Sequence, residues 1–223
     1  MKKTYLMTLI IFTVLGASTA FGKTVECNGT LTGFVDANVV VPSPGGFCLS
    51  LGATITGSVR VEPGAAGFHA HGSTIGGNVD SPGDIIFDIR ILDSHVGGNV
   101  NISKTHEGTL GAICRSTIGG DLHWDENTGF ETIGIGFPAD VCTAGNTFFH
   151  DVILNNNGGS VNFDFNNNTV LGNVIVNNNR GAENIHDNQI GGVLVCESND
   201  PAPVNVANTA SSFHGQCQGV PLP

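Results

Sequence analysis

Four carboxylates and an imidazole in the middle of the chain have the chemistry of a site that acts on a polysaccharide. They belong to Asp80, Asp121, His123, Asp125 and Asp151. Carboxylate clusters bind Ca²⁺, and a basic group beside them can abstract a proton. The other interpretation is that these side chains only keep an acidic face solvated, and we assign no catalytic residue. Ca²⁺ is the only cofactor that this pattern suggests.

A second candidate, for a metal site, is the pair His69 and His71. Two histidines that alternate on one strand point to the same side of a sheet and can share a metal ion. The spacing of the chain provides no third ligand, so we expect surface histidines here. The chain also lacks the Gly-x-Ser-x-Gly signature of serine hydrolases and the phosphate-binding loop of nucleotide enzymes.

The charge of the chain excludes two classes of partner. Its 223 residues include 8 Lys and Arg against 19 Asp and Glu, which gives a net charge of −11. Binding to nucleic acid or to an anionic membrane surface needs clustered basic side chains. We therefore expect neither partner.

The first 20 residues have the pattern of a secretory signal peptide. Lys2 and Lys3 precede an apolar run over residues 6–15, and small residues follow at 18–20. The apolar run is shorter than the roughly 20 residues that span a bilayer. We predict a protein that is secreted, periplasmic or at the cell surface, with no membrane span.

The elements that must position the candidate side chains follow from a repeat. Phrases such as Ser-Thr-Ile-Gly-Gly-Asn-Val at 73–79 return at intervals of 20–22 residues, with one longer interval of 30. Each phrase has an apolar residue at its centre, namely Ile55, Ile75, Val96, Ile118, Phe148, Val170, Ile190 and Ala210. A constant period in this range is typical of stacked repeats, and paired glycines disfavour helix.

We predict an all-β chain, a single-stranded parallel β-helix of about eight to nine coils with 20–22 residues per coil. It would occupy residues 21–223, with an insertion near 134–145 and a C-terminal cap at 197–223. A β-sandwich is the competing fold, but its hairpins would not preserve such a period.

Stacking turns the sequence into columns of equivalent residues. The residue two positions before each centre is serine at Ser73, Ser94 and Ser116 and asparagine from Asn146 onward. This column predicts a hydrogen-bonded ladder inside the molecule. Positions four after each centre are Val or Leu and should form the core. The residues three and five positions after each centre should face outward.

The outward column is polar in the first half and apolar in the second, at Ile153, Ile175 and Val195. Strands that are apolar on both faces are normally buried on both. We predict that a terminal segment or another subunit covers these three residues, so self-association is one possible partner interaction.

The six cysteines fit the period of the coils. Cys27 and Cys48 are 21 residues apart, as are Cys196 and Cys217, and Cys114 with Cys142 would close the insertion. Exported chains meet an oxidising compartment. We predict these three disulfides, with the outer two at the ends of the stack.

The repeated units, together with the ending around Val195-Cys196 and Gly215-Gln216-Cys217, resemble a group of uncharacterised secreted bacterial proteins. Those proteins carry Asn-Thr-Val-Gly-Gly-Asn-Leu-like repeats. The resemblance covers residues 25–217 and implies a right-handed parallel β-helix with a pectin-lyase-like architecture. It implies almost nothing about activity.

The leading functional hypothesis is a structural or binding protein that presents a repetitive face to a glycan or protein partner. The alternative is a carbohydrate-active enzyme, a lyase or hydrolase, that uses the acidic patch. A third is an ice-binding protein, because a column of threonines stands just before the centres.

Overall fold

The computed structural model describes residues 22–106, 110–135, 142–158 and 163–218, and every regular element within them is a β-strand. The predicted signal peptide and residues 136–141 of the predicted insertion lie outside the described residues. Nowhere in the described ranges is there a helix with the length and apolarity needed to cross a membrane.

Each coil contributes one strand to each of three sheets in turn. The first four coils contain β1 (Thr24–Glu26), β2 (Gly29–Leu31), β3 (Phe34–Val35), β4 (Asn38–Val41), β5 (Phe47–Leu51), β6 (Thr54–Ile55), β7 (Val59–Val61), β8 (Gly67–His71), β9 (Thr74–Ile75), β10 (Val79–Ser81), β11 (Asp88–Leu92) and β12 (His95–Val96). The next three contain β13 (Val100–Ser103), β14 (Leu110–Cys114), β15 (Thr117–Ile118), β16 (Leu122–Asp125), β17 (Phe130–Gly134), β18 (Thr147–Phe148), β19 (Val152–Asn155), β20 (Phe163–Asn166) and β21 (Thr169–Val170). The last ones contain β22 (Val174–Asn177), β23 (Glu183–His186), β24 (Gln189–Ile190), β25 (Val193–Glu197), β26 (Val204–Val206) and β27 (Ser212–Gly215).

All strand pairs are parallel and join equivalent positions of successive coils. Sheet A has ten strands from β1 to β27, sheet B has nine from β2 to β26, and sheet C has eight from β3 to β24. Val79 pairs with Val100, and Val100 pairs with Leu122, so the register advances by one coil at each step. The predicted β-solenoid is therefore confirmed, with about nine coils. The segment predicted as a cap contributes β26 and β27 to the stack.

The core consists of columns that the repeat predicted. Ile75, Val96 and Ile118 lie on adjacent strands of sheet C and are fully buried. Each strand alternates, with one side chain inside the coil and the next outside, because successive residues of a strand point to opposite faces. The repeat also predicts a second apolar wall of Phe68, Ile89 and Phe163 with Phe87 nearby. Phe87 is instead exposed, in the segment before β11.

Three ladders of hydrogen bonds connect the coils at their corners. The predicted one is present before sheet C, where the Ser94 N–H donates to Ser116 Oγ at 3.1 Å. A second, which the sequence analysis missed, lies between sheets A and B and contains Thr105, Asn127, Asn157, Asn179 and Asn199. In it the Asn127 N–H donates to Asn157 Oδ1 at 3.0 Å.

The third ladder precedes sheet A and runs in the opposite sense. Here the N–H of Asp121 donates back to Asn99 Oδ1 of the previous coil at 2.9 Å. The first two ladders instead donate to the following coil. Every corner therefore satisfies backbone N–H groups that the sheets leave without a partner.

The three predicted disulfides are present. They join Cys27 to Cys48, Cys114 to Cys142 and Cys196 to Cys217. The middle one lies in a small apolar cluster with Leu92 and Ala112, apart from the main core. Disulfides are typical of proteins in an extracellular or periplasmic environment.

Candidate ligand-binding groove on sheet A

The outer face of sheet A carries a groove of about 480 Å³ across its central strands. Its walls mix charged, amide, hydroxyl and apolar side chains. They are Arg60, Asp80, Ser81, Pro82, Asn101, Ile102, Ser103, His123, Asp125, Ile153 and Asn155. Pockets of this size are typical of small-molecule sites.

Two parallel rows of outward side chains form the groove. The first row takes one residue from each coil, with Asp80 beside Asn101 and Asn101 beside His123 in the register of sheet A. The second row lies two residues further along each strand, where Ser103 is beside Asp125. Neighbours in a row are about 4.8 Å apart, and the rows are separated by about 6.6 Å, as strand geometry requires.

Hydrogen bonds between coils fix the amides of the groove. Asn101 Nδ2 donates to Asp80 Oδ1 at 2.6 Å, and Asn155 Nδ2 donates to Asp125 Oδ1 at 2.9 Å. Each carboxylate thus keeps oxygen lone pairs for another donor, while each amide keeps its carbonyl. The groove is built before a ligand arrives, which reduces the entropy lost on binding.

The positive charge in the groove is mostly neutralised. Arg60 Nε donates to Glu62 Oε1 at 2.7 Å. The guanidinium at the start of the first row is therefore paired with a carboxylate. Asp80 and Asp125 add two carboxylates to the walls. This arrangement of charge disfavours polyanions in the groove.

Three of the five predicted acid–base residues line the groove, and two do not. Asp121 and Asp151 belong to the ladder that precedes sheet A, where Asp121 Oδ1 accepts the N–H of Asp151 at 3.1 Å. Asp151 Oδ1 in turn accepts the N–H of Asn173 at 2.7 Å. The residues three positions after each centre, which the repeat predicts to face outward, are half-buried at this turn. They are half-buried because their side chains bond to the next coil.

The two candidate metal-ligating histidines lie on the outer face of sheet B. His69 Nε2 is 2.6 Å from Asp88 Oδ1, and Arg90 bonds the other oxygen of that carboxylate at 2.6 Å. Burial, followed by the charge of His69, lowers the pKa of His71. The rings of His69 and His71 are 5.9 Å apart between centroids. Among the described residues, no group of three or more His, Cys, Asp or Glu side chains is arranged to hold one metal ion.

Ile153, Ile175 and Val195 stand in one row on adjacent strands of sheet A. All three are half-buried, and Ile153 also lines the groove. The described part of the C-terminal segment does not run across this row, because β27 extends sheet A beyond β25. The predicted cover of this face stays a prediction.

The repeat does not predict two glutamates that the structure buries. Glu131 and Glu183 occupy inward positions of sheet B and are 2% and 4% exposed. Both flank Phe163 in the register of the sheet. The distance of each glutamate from the centre of the preceding repeated phrase could have placed it on sheet B. Sheet B itself, however, contains no repeated phrase from which its inward positions can be read.

Comparisons with protein-family models, with curated proteins and with solved structures found no match to this chain.

Proposed function

We propose that this protein is an exported binding module and that the groove on sheet A binds an extended, neutral glycan chain. The supporting observation is the line of one outward side chain per coil at Asp80, Asn101 and His123, with a second line beside it. A coil spacing of about 4.8 Å is close to the length of one pyranose unit in an extended chain. Successive sugars would therefore meet successive coils.

The chemistry of the walls suits sugar hydroxyls, which both donate and accept hydrogen bonds. Asp80 and Asp125 can accept, and the carbonyl oxygens of Asn101 and Asn155 remain for donors. Pro82 and Ile153 provide apolar surface for the C–H face of a pyranose ring. Because acids outnumber unpaired bases here, a polyuronate would be repelled.

The second candidate, a carbohydrate-active enzyme, is favoured by the presence of Asp80, His123 and Asp125 in one groove. The two aspartates are two coils and two residues apart, about 12 Å between Cα atoms by strand geometry. Each carboxylate is bonded to an asparagine of the following coil, so the two are not drawn together. Paired catalytic carboxyl groups of glycosidases lie roughly 5–10 Å apart. We therefore prefer binding to hydrolysis.

The proposal is tested by titrating soluble neutral polysaccharides, with a polyuronate as the charged comparison, into the purified protein in a calorimeter. We expect binding of at least one neutral glycan and at least tenfold weaker binding by Asn101→Ala and His123→Ala. Asn184→Ala, on the outer face of sheet B, is the matched control and should bind normally. Loss of affinity in none of the groove variants would contradict the proposal, and sugar products that disappear in Asp125→Asn would favour the enzyme.

A further inference from the structure

The interior of the solenoid contains two carboxyl groups that the groove does not use. The inward column of sheet B reads Gly111, Glu131, Phe163 and Glu183 over four successive coils. The equivalent positions of earlier coils are apolar, as at Phe68 and Ile89. Glutamates in such a column are costly unless they are neutral or paired.

The surroundings of the two side chains provide little compensation. Thr105 Oγ1 donates to Glu131 Oε1 at 3.3 Å, and Trp124 lies beside the same carboxyl. Glu183 Oε2 is buried and has no hydrogen-bond partner. The neighbouring strands of sheet B contribute Gly111 from β14 and Phe163 from β20, and β26 on the far side of Glu183 holds Val204, Asn205 and Val206, so none of them carries a charge.

A small cavity of about 10 Å³ lies beside the pair at the corner between sheets A and B. Its lining includes Glu131, Glu183 and Asn157, which is a member of the corner ladder. Arg180 also lines it and is the one basic side chain among the described residues that do so, although it is largely exposed. The pocket is partly open to solvent, but its space is close to the minimum for one water molecule, which is too little to hydrate two ionised carboxylates unless the corner widens.

Burial raises the pKa of Glu131 to about 8, and contacts with Trp124 and Thr105 offset only part of that effect. The negative charge of Glu183 adds to the increase. Burial likewise raises the pKa of Glu183 to about 8. At neutral pH both side chains are thus mainly protonated inside the folded protein.

We propose that Glu131 and Glu183 form a pH-sensitive switch, in which the two protonated carboxyls keep the corner between sheets A and B closed and their ionisation opens it. The carboxylates would then have to reach water through the corner that Asn157 closes. Because Asn155 in the groove is only two residues before Asn157, opening would disturb the adjacent end of the groove. This inference does not depend on which ligand the groove binds.

The sign of the effect on stability follows from the two pKa values. The folded protein holds these protons more tightly than the unfolded chain, where glutamate titrates near its ordinary value of 4.5. The stabilisation from these two glutamates is therefore fully present below about pH 4.5 and is lost as the pH rises through about 8. This trend is opposite to that of a glutamate stabilised by a salt bridge.

Hydrogen exchange measured by mass spectrometry at pH 6 and pH 9, corrected for the intrinsic rate, tests the switch. In the wild type we expect protection of segments 127–134 and 182–186 to fall at least tenfold more than that of segment 74–80. Glu131→Gln and Glu183→Gln should each reduce this difference. Glu197→Gln, an exposed glutamate, is the matched control and should behave like the wild type.

The infrared spectrum of the wild type keeps the test independent of how well the variants fold. A band from protonated carboxyl groups should be present at pH 7 and should disappear between pH 7 and pH 10. Its absence at pH 7, or equal protection of the three segments at both pH values, would overturn the proposal.

Discussion

At the scale of single residues, buried asparagines connect successive coils at their corners, beside an apolar core. Asn179 Oδ1 accepts from the Asn157 N–H at 2.8 Å, and its Nδ2 donates to Leu154 O at 3.0 Å. The same Nδ2 also donates to Asn199 Oδ1 at 3.0 Å. One side chain thus bonds polar groups of the coil before it and of the coil after it.

Replacement of Asn179 by alanine should be strongly destabilising. Each lost hydrogen bond contributes about 1 kcal/mol, and buried groups are left unpaired, so we expect a loss of about 3 kcal/mol or more in the free energy of unfolding. Urea denaturation measures it. The matched variant is Asn184→Ala, whose side chain makes one bond, to Asp164, on the outer face. Equal effects of the two substitutions would show that the ladder contributes little.

Single residues also mark the limit of what the sequence could predict about the site. The period places Asp80, His123 and Asp125 in outward columns, and the structure brings them into one groove. It also predicts Asp121 and Asp151 beside them, because a repeat reveals a column but not whether its side chains bond to the neighbouring coil. That distinction depends on backbone direction at the turn.

At the scale of elements, strands β14 and β16 are complementary in volume. Trp124 of β16 is fully buried, and the space for its indole is left by Gly111 of β14. A Cβ atom at Gly111 would lie 2.5 Å from Trp124 Cζ2. A large side chain on one strand therefore requires a small one on another.

The variant Gly111→Ala should lower the free energy of unfolding by about 2 kcal/mol, as overpacked cores commonly do. Gly158→Ala is the control, since its nearest new neighbour would be 3.6 Å away, an ordinary contact. Thermal unfolding followed by circular dichroism compares the two. An unchanged melting temperature for Gly111→Ala would mean that the indole can move.

The strands of the three sheets were not equally predictable. Sheet C and the start of sheet A contain the repeated phrase, so Ile75, Val96 and Ile118 could be aligned without a structure. Sheet B has no such phrase, and the segments that lead into it vary in length. For that reason the sequence does not predict that Phe87 is exposed or that Glu131 is buried.

At the scale of the whole molecule, stability depends on how the ends of the stack are closed. The last coil is held by Cys196–Cys217, which are 21 residues apart, and by Gln216, whose Oε1 accepts the N–H of Asn199 at 2.8 Å. Gln216 thereby ends the ladder between sheets A and B. An end without such groups would expose strand edges.

Replacement of both Cys196 and Cys217 by serine should reduce the free energy of unfolding by about 3 kcal/mol, the value for a loop of this length. Limited proteolysis should then cut residues 204–215 first. Removal of the Cys114–Cys142 bridge is the comparison, because it lies outside the main core and should leave those residues protected. Cleavage elsewhere in the first variant would argue against a local role at the end.

Uniform corners also make the length of the molecule adjustable. Asn168 and Asn188 make the same bond to the coil that follows each of them. The Asn168 N–H donates to Asn188 Oδ1 at 2.9 Å, and the Asn188 N–H donates to Asn208 Oδ1 at 2.8 Å. A tandem duplication of residues 169–188 would thus meet matching donors and acceptors at both junctions. The product would be longer by one strand spacing, about 4.8 Å, with its groove unaltered, so growth by copying a single segment is open to this architecture.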